Sequence, residues 1–379
     1  MDFELTEEQK MFRDAVRDFA ERELGPIAQS IDEREEYPFE SIKKMGRLGI
    51  TGLTISKEYN GSGGTYIHWC IAMEEIARVC AATAAILDTS WGLAARAINL
   101  HANEEQKKRY LAPLARGDKI GAFGLTEADA GSDPSRLETT VAKDGNSYVL
   151  NGRKIFISNA PQADILVVFA TKNKSLGHRG ISTFIVEKET PGFSVGSVHH
   201  KLGIRAAHSA ELLFETCRIP TGNLLGAEGQ GFSIALSTLD GGRIGVAAQA
   251  IGIARAVLEA SISHAKQREQ YGQPIANFQA IQWMLADIAT GVDAARLLTY
   301  RAADLADKGL SFTTEAAMAK VFASEVAMSA AIKGIQIHGG YGYMMDSAMQ
   351  RYFRDAKITE IYEGTSEIMR YIIARSLLR

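Results

Sequence analysis

A carboxylate, a glycine and two hydroxyls stand together near the end of this chain, in Glu360-Ile361-Tyr362-Glu363-Gly364-Thr365-Ser366-Glu367-Ile368. The stretch falls just ahead of a final helix expected over Ile368 to Leu378. A helix start carries unpaired N–H groups and a positive dipole end, and Gly364 lets another molecule come close to the backbone. A carboxylate beside N–H donors suits removal of a proton from the carbon next to a carbonyl. Glu363 can take the proton while the donors hold the oxygen on which charge develops. The same residues also describe an ordinary first turn with an acidic residue in its favoured place, so the rest of the chain has to decide.

A second constellation lies upstream. Phe123-Gly124-Leu125-Thr126-Glu127 leads to Gly131-Ser132-Asp133, and after Asn151-Gly152 comes Lys154-Ile155-Phe156-Ile157-Ser158-Asn159. Strand alternation puts Phe156 and Ser158 on one face and Ile155 and Ile157 on the other. An aromatic ring beside a hydroxyl could cover a planar group and bond its edge, although an ordinary strand with one aromatic packed inward has the same pattern.

The elements that must position these residues read as helical, then β, then helical. The chain has 379 residues, which calls for two or three domains. Thr6-Glu7-Glu8-Gln9 is a capping box opening a helix through about Glu23, with Phe12, Val16 and Phe19 on one face. Pro26 and Pro38 suit first turns. Helices are expected over Tyr66 to Val79 and Ala82 to Leu100, and Asn103-Glu104-Glu105-Gln106 begins a shorter one ending near Pro113. Between Lys119 and Leu225, Asp144-Gly145 and Asn151-Gly152 read as hairpin turns, with strands at Ile165 to Phe169 and Ile181 to Glu187. After position 220 the only proline is Pro274, and Phe232–Ala265, Phe278–Leu305 and Thr314–His338 are long, alanine-rich and amphipathic. With the last helix they make an antiparallel bundle. The boundaries expected are 1–118, 119–228 and 229–379.

Composition excludes several classes. A net charge of −3 with mixed signs gives no footing for nucleic acid. Three cysteines (Cys70, Cys80, Cys217) without CxxC spacing suggest free thiols, with neither a disulfide frame nor a metal knuckle. Asn60-Gly61-Ser62-Gly63-Gly64 is a turn, and no GxGxxG follows a strand. The amino terminus lacks the order of a signal peptide, and the apolar stretch Val79 to Leu100 is interrupted by Asp88 and Arg96. A cytoplasmic protein with no membrane span is expected.

Taken together, the chain resembles the acyl-CoA dehydrogenases, an FAD-dependent family, from its first helix to its last. The resemblance rests on Leu125-Thr126-Glu127 with Gly131-Ser132-Asp133, on Asn151-Gly152 with Ile157-Ser158-Asn159, and on Leu239-Asp240-Gly241-Gly242-Arg243. It continues through Arg268-Glu269-Gln270-Tyr271-Gly272 with Phe278-Gln279, Gln336-Ile337-His338-Gly339-Gly340-Tyr341-Gly342, and Arg354-Asp355 to Thr365. It implies an α+β fold: an N-terminal all-α domain, a central β-barrel-like domain and a C-terminal antiparallel four-helix bundle. It implies that Glu363 is the base taking the α-proton of an acyl thioester while a hydride leaves the β-carbon for flavin N5. The backbone N–H of Glu363 and a flavin ribityl hydroxyl would hold the carbonyl oxygen. Phe123, Leu125, Thr126, Gly131 and Ser132 would line the flavin, with Phe156 and Ser158 opposite and Thr365 and Glu367 on the cofactor side of the last helix. Phe156 stands where many members have tryptophan. Ser132, Asp240, Arg243, Tyr362 and Gly364 would line the acyl-CoA path. Arg268, Tyr271, Gln279, Gln336 and Gly340 would reach the FAD of a neighbouring subunit, which implies a homotetramer. An electron-transferring flavoprotein is the implied acceptor.

Some branches of the family carry the base just before the arginine of the Asp240 helix, where this chain has Gly242. The local motifs are similar to the short-chain, glutaryl and alicyclic branches. The glutaryl branch uses an arginine on the acyl-pocket helix, and Ala81-Ala82-Thr83-Ala84-Ala85 has none. Asp88 is either a structural aspartate bonded to a neighbouring turn or a second carboxylate facing the acyl cavity, as in the branch acting on cyclic carboxyl-CoA thioesters. The expectation is α,β-dehydrogenation of a compact acyl group, short, branched or alicyclic such as cyclohexanecarboxyl, with Asp88 as a candidate second base or specificity residue; a glutaryl-CoA-type or butyryl-CoA dehydrogenase is the alternative. An acyl-CoA oxidase shares the flavin chemistry but is usually longer. A flavin-free helical scaffold or DNA-associated relative is the reading from another class.

Overall fold

The computed structural model describes residues 4–378. The Thr6 side chain accepts from the Gln9 N–H and the Gln9 side chain bonds back to the cap, which starts the Glu7–Phe19 helix as expected. Val16 and Phe19 are buried, and π-helical turns continue the helix over Ala20–Leu24. The two prolines fall outside the first turns assigned to them: Pro26 precedes the Ala28–Arg34 helix and Pro38 occupies the cap of Phe39–Arg47. Neither helix has a side-chain cap to fix its start one residue earlier. Tyr66–Val79 is helical as read. The next helix runs from Ala81 to His101 and widens into π geometry over Asp88–Ala95. The capping box at Asn103 opens a helical path that passes Pro113 and ends at Ala115.

The middle of the chain folds into eight strands: β1 (Gly121–Gly124), β2 (Thr140–Asp144), β3 (Ser147–Ser158), β4 (Ile165–Thr171), β5 (Ile181–Glu187), β6 (Phe193–Val198), β7 (Ser209–Pro220) and β8 (Leu224–Leu225). They form one sheet in the order β6-β7-β3-β2-β4-β5-β8, with β1 parallel to β4. Every residue of β4 is buried, in keeping with its unbroken apolar run. Asp144 pairs with Ser147 across a tight turn in which Gly145 has φ +58°. The Asn151-Gly152 pair is not a hairpin turn. It lies inside β3, where the register against β7 slips between Leu150 and Gly152. Gly152 is required there because a Cβ would run into Thr139.

The C-terminal region contains the long helices Gly231–Gln267, Gln279–Asp307 and Thr313–His338, followed by Ala348–Thr359 and Ser366–Leu377. The helix at 348–359, which the sequence reading passed over, delivers the chain to the Glu363 turn. Gly231–Gln267 is long and apolar enough to cross a membrane by composition, yet most of it is buried as the inner helix of the bundle. It packs against Tyr66–Val79, where Gly252 admits the Glu74 carbonyl at close range. Buried Glu74 and Glu75 tie the two helical regions together. Glu74 pairs with Arg255 and Arg296, and Glu75 with Arg17, Arg78 and Arg255, so neither carboxylate is left unpaired inside.

Candidate active site

The turn between the last two helices is held in an uncommon backbone. Glu363 has φ +54° and Gly364 φ +105°, both in the left-handed region. A non-glycine residue there persists only where its surroundings over-determine it. The surroundings do so here at each residue. The Tyr362 hydroxyl donates to Gln249, the Glu363 carbonyl accepts from Arg243 Nε at 3.3 Å, and the Gly364 carbonyl accepts from Lys320 Nζ at 2.6 Å. Thr365 caps the final helix by accepting from the Ile368 N–H. Of the two hydroxyls expected to cap, only Thr365 does so; Ser366 is the first helical residue and its Oγ is buried without a partner. Among the described residues the Glu363 N–H has no protein acceptor.

The Glu363 side chain meets Asp88. Asp88 is 2% exposed; neither of its carboxylate oxygens, nor Glu363 Oε2, has a partner able to donate. Two acceptors can bond only if one carries a proton. Burial, and then the Glu363 charge, push the Asp88 carboxyl well above the usual carboxylate range. Burial also raises Glu363, while a hydrogen bond from Asp88 and the charges of Arg243 and Lys320 pull it back. Of the two, Asp88 is pushed up further, so a proton shared by the pair is favoured on Asp88 over Glu363. Three glycines leave the room this pair occupies. A Cβ on Gly242 would overlap Glu363 Oε2, and one on Gly92 or Gly245 would overlap Asp88 Oδ1. A side chain at 242 and the Glu363 carboxylate thus exclude one another in this conformation. Of the two readings of Asp88, the one in which it faces the acyl cavity finds no support in the linings: Asp88 is in neither cavity at this site and meets Glu363 instead.

Those two cavities, of about 640 and 840 Å³, meet at Thr126, Gly131, Ser132, Phe156, Ser158, Tyr362, Glu363 and Gly364. Phe123, Leu125 and Arg243 line the first of them and Thr365 the second. Glu367 lies in neither and is exposed on the final helix. Asp240 also stands back, accepting from Arg243 Nη1 at 2.7 Å and from Thr313 at 2.6 Å. Phe156 and Ser158 both reach the cleft, but by more than simple alternation. The pairing of β3 with β7 shifts between Lys154 and Ile157, and Phe156 takes φ +59°. That bulge leaves its ring 63% exposed beside His199. A Cβ on Gly131 would meet nothing within 4 Å. Phe156 presents an apolar ring, and Thr126, Ser132 and Ser158 present hydroxyls, to the same two cavities, a lining whose chemistry suits a flat apolar group with a polar edge.

Two buried lysines were missed by the sequence reading. Lys154, wholly buried, donates to Glu127 at 2.7 Å and to the Leu125 carbonyl at 3.3 Å. Glu127 also accepts from the N–H groups of Glu138 and Thr139. The pair thereby fixes the Leu125-Thr126 edge of the cleft to β2 and β3. Burial draws the Lys154 ammonium down to about 8, with Glu127 opposing. Its signal was a lysine inside a strand, two residues before Phe156. Lys320 lies in a run of alanines on Thr313–His338, and nothing in sequence links that helix to Glu363.

A separate cavity of about 540 Å³ is lined by Arg268 and Gly340 together with His264, His338 and Tyr341. The Arg268 guanidinium sits over the Tyr341 ring at 5.6 Å. Tyr271 is 95% exposed with φ +53°. None of Arg268, Tyr271, Gln279, Gln336 or Gly340 lines the cleft at Glu363 within this chain.

Family models for the acyl-CoA dehydrogenase N-terminal, middle and C-terminal domains match residues 6–118, 122–217 and 229–378. A curated relative from Clostridium acetobutylicum, a short-chain specific acyl-CoA dehydrogenase, is 49% identical over 379 residues, covering 100% of both chains. The solved butyryl-CoA dehydrogenase from Megasphaera elsdenii is 45% identical with a TM-score of 0.98, again over 100% of both chains. A chain from structural work on the electron transferring flavoprotein of Acidaminococcus fermentans is 49% identical with a TM-score of 0.99, over 100% of both.

Proposed function

The chain belongs to the acyl-CoA dehydrogenase family, FAD-dependent oxidoreductases acting on CH–CH bonds, and from that premise we propose that it dehydrogenates a compact acyl-CoA between the α and β carbons. Compact here means short, branched or alicyclic. The observation that carries the reading is the Glu363 carboxyl at the meeting of two cavities, in a strained turn whose own N–H has no protein acceptor among the described residues.

Glu363 takes the α-proton, and its backbone N–H holds the thioester oxygen on which charge gathers. Arg243 and Lys320 hold the turn so that carboxylate and N–H both face the acyl group. Asp88, protonated, hydrogen-bonds the base and would bear on which carbon reacts only through Glu363, since it lines neither cavity. Phe156, Ser158, Thr126 and Ser132 would hold the FAD ring system, a fit supported by the exposed ring at the β3 bulge and the open space beside Gly131. When bound, FAD supplies the two-electron acceptor for the hydride that leaves the β-carbon. Phe123, Leu125 and Leu239 keep water from that side of the cleft. That Arg268, Tyr271, Gln279, Gln336 and Gly340 line no part of the cleft within this chain supports a site completed by a second copy, which a homotetramer of the kind the resemblance implies would supply. The relative from Acidaminococcus fermentans supports an electron-transferring flavoprotein as acceptor.

The short-chain relatives support a small acyl group, and the absence of an arginine in Ala81–Leu87 speaks against a dicarboxylic one. The test is anaerobic flavin bleaching by butyryl-, glutaryl- and cyclohexanecarboxyl-CoA in wild type and Asp88→Asn. The reading expects butyryl- or cyclohexanecarboxyl-CoA to bleach faster than glutaryl-CoA, with their ratio altered in the variant. Glutaryl-CoA as fastest substrate would refute the acyl class, and an unchanged ratio would leave Asp88 a structural residue.

A further inference from the structure

The inward face of Thr313–His338 is built of small residues, among them Ala316, Ala319, Ala323 and Ala327. Lys320 interrupts it with a side chain that has no accessible surface. Taking an ammonium out of water is costly unless it is paired and hydrogen-bonded. The recorded hydrogen bond of this one is to the Gly364 carbonyl, at 2.6 Å. That carbonyl closes the left-handed turn, φ +54° at Glu363 and +105° at Gly364. A buried cation is therefore placed on the peptide next to the base.

We infer that Lys320 is a positioning residue for this reaction: its buried ammonium, bonded to the Gly364 carbonyl, holds the left-handed turn that presents Glu363 and sets a positive charge close to that residue. The inference rests on Glu363 acting as the base. Charged groups face Glu363 from each element packed on it: Asp88 from the Ala81–His101 helix, Arg243 backed by Asp240 from Gly231–Gln267, and Lys320 from Thr313–His338. The charges of Glu360 and Glu367 also act on Lys320, in the sense that favours its charged form. Arg243 is already shared with Asp240 and with the Glu363 carbonyl, so Lys320 is the cation of this set that pairs with no carboxylate among the described residues and bonds a carbonyl instead. Burial draws it down to about 8, with Glu363 opposing, so below that pH it remains charged beside the base.

Three variants separate its two roles. Lys320→Gln keeps an N–H donor and loses the charge, Lys320→Met loses both, and Lys320→Arg keeps both. The measurement is the pH profile of kcat on flavin-loaded enzyme with butyryl-CoA, with KM alongside. Lys320→Gln is expected to move the acid limb, where the base gains its proton, to higher pH by about one unit. Lys320→Arg leaves the limb at the wild-type position. Lys320→Met moves it and also lowers kcat about 10- to 100-fold with KM changed less than about 3-fold. A residue that merely fills space would lower the yield of flavin-loaded protein and leave the limb in place. An acid limb in Lys320→Gln that coincides with wild type overturns the inference. If the limb is lost in Glu363→Gln yet unmoved in Lys320→Gln, only the role of Lys320 fails. If it persists in Glu363→Gln, the assignment of the base fails, and this inference with it.

Discussion

Asp88 is the residue whose chemistry is decided by its neighbours. The protein stores it protonated, since burial and the Glu363 charge oppose its ionisation, while the unfolded chain ionises it at the usual carboxylate pKa. The folded pKa lies above the unfolded one, so folding takes up a proton. The stability contribution is full below the unfolded pKa and drains away as pH rises from there toward the folded value. Asp88→Asn removes this penalty, so its melting temperature should gain on wild type progressively as pH is raised from about 4 to 8. A constant difference across that range would mean that Asp88 is ionised in the folded protein. In sequence, Asp88 could be singled out as a polar residue on an apolar helix, but its partner could not. Glu363 is 275 positions away in the chain (363 − 88), and only the packing of three helices brings the carboxyls together. Glu363 itself was legible because Gly364 and Thr365 announce a turn before a helix; the left-handed φ that aims it was not.

At the scale of elements, the Gly231–Gln267 helix acts as a template whose missing side chains matter most. Gly242 and Gly245 leave space for Glu363 and Asp88, and Gly241 for the Arg96 guanidinium. Gly242→Ala places a methyl group where Glu363 Oε2 lies. We expect a cost of about 1–3 kcal/mol in urea unfolding from overpacking, together with a fall in kcat of about 10-fold or more as the base is displaced. Wild-type turnover in a folded Gly242→Ala enzyme would show that the carboxylate works from another position. Long helices and buried strands were readable from period and proline content. Asn151-Gly152 misled because the dipeptide that favours a two-residue turn also serves a strand bulge, and only the approach of Thr139 distinguishes the two. The π-helical stretch at Asp88–Ala95 left no mark in the sequence, since its widened turn depends on what packs beside it.

Across the whole molecule, three regions each supply one part of the cleft: the π-widened helix brings Asp88, the sheet brings Phe156 and Ser158 at a bulge, and the bundle brings Arg243, Lys320 and Glu363. Their order along the chain was legible from composition, whereas the meeting point was not, because it is set by long-range packing. The residues at Arg268 and Gly340 lie in a cavity of their own, apart from the cleft at Glu363. In the assembled, flavin-loaded protein, proton removal by Glu363 is the step on which every other assignment depends. The direct measurement is the rate at which butyryl-CoA bleaches the flavin anaerobically in wild type and in Glu363→Gln at equal flavin occupancy. A fall of about 10²- to 10⁴-fold or more in the variant is the expected result, and bleaching at the wild-type rate would contradict it.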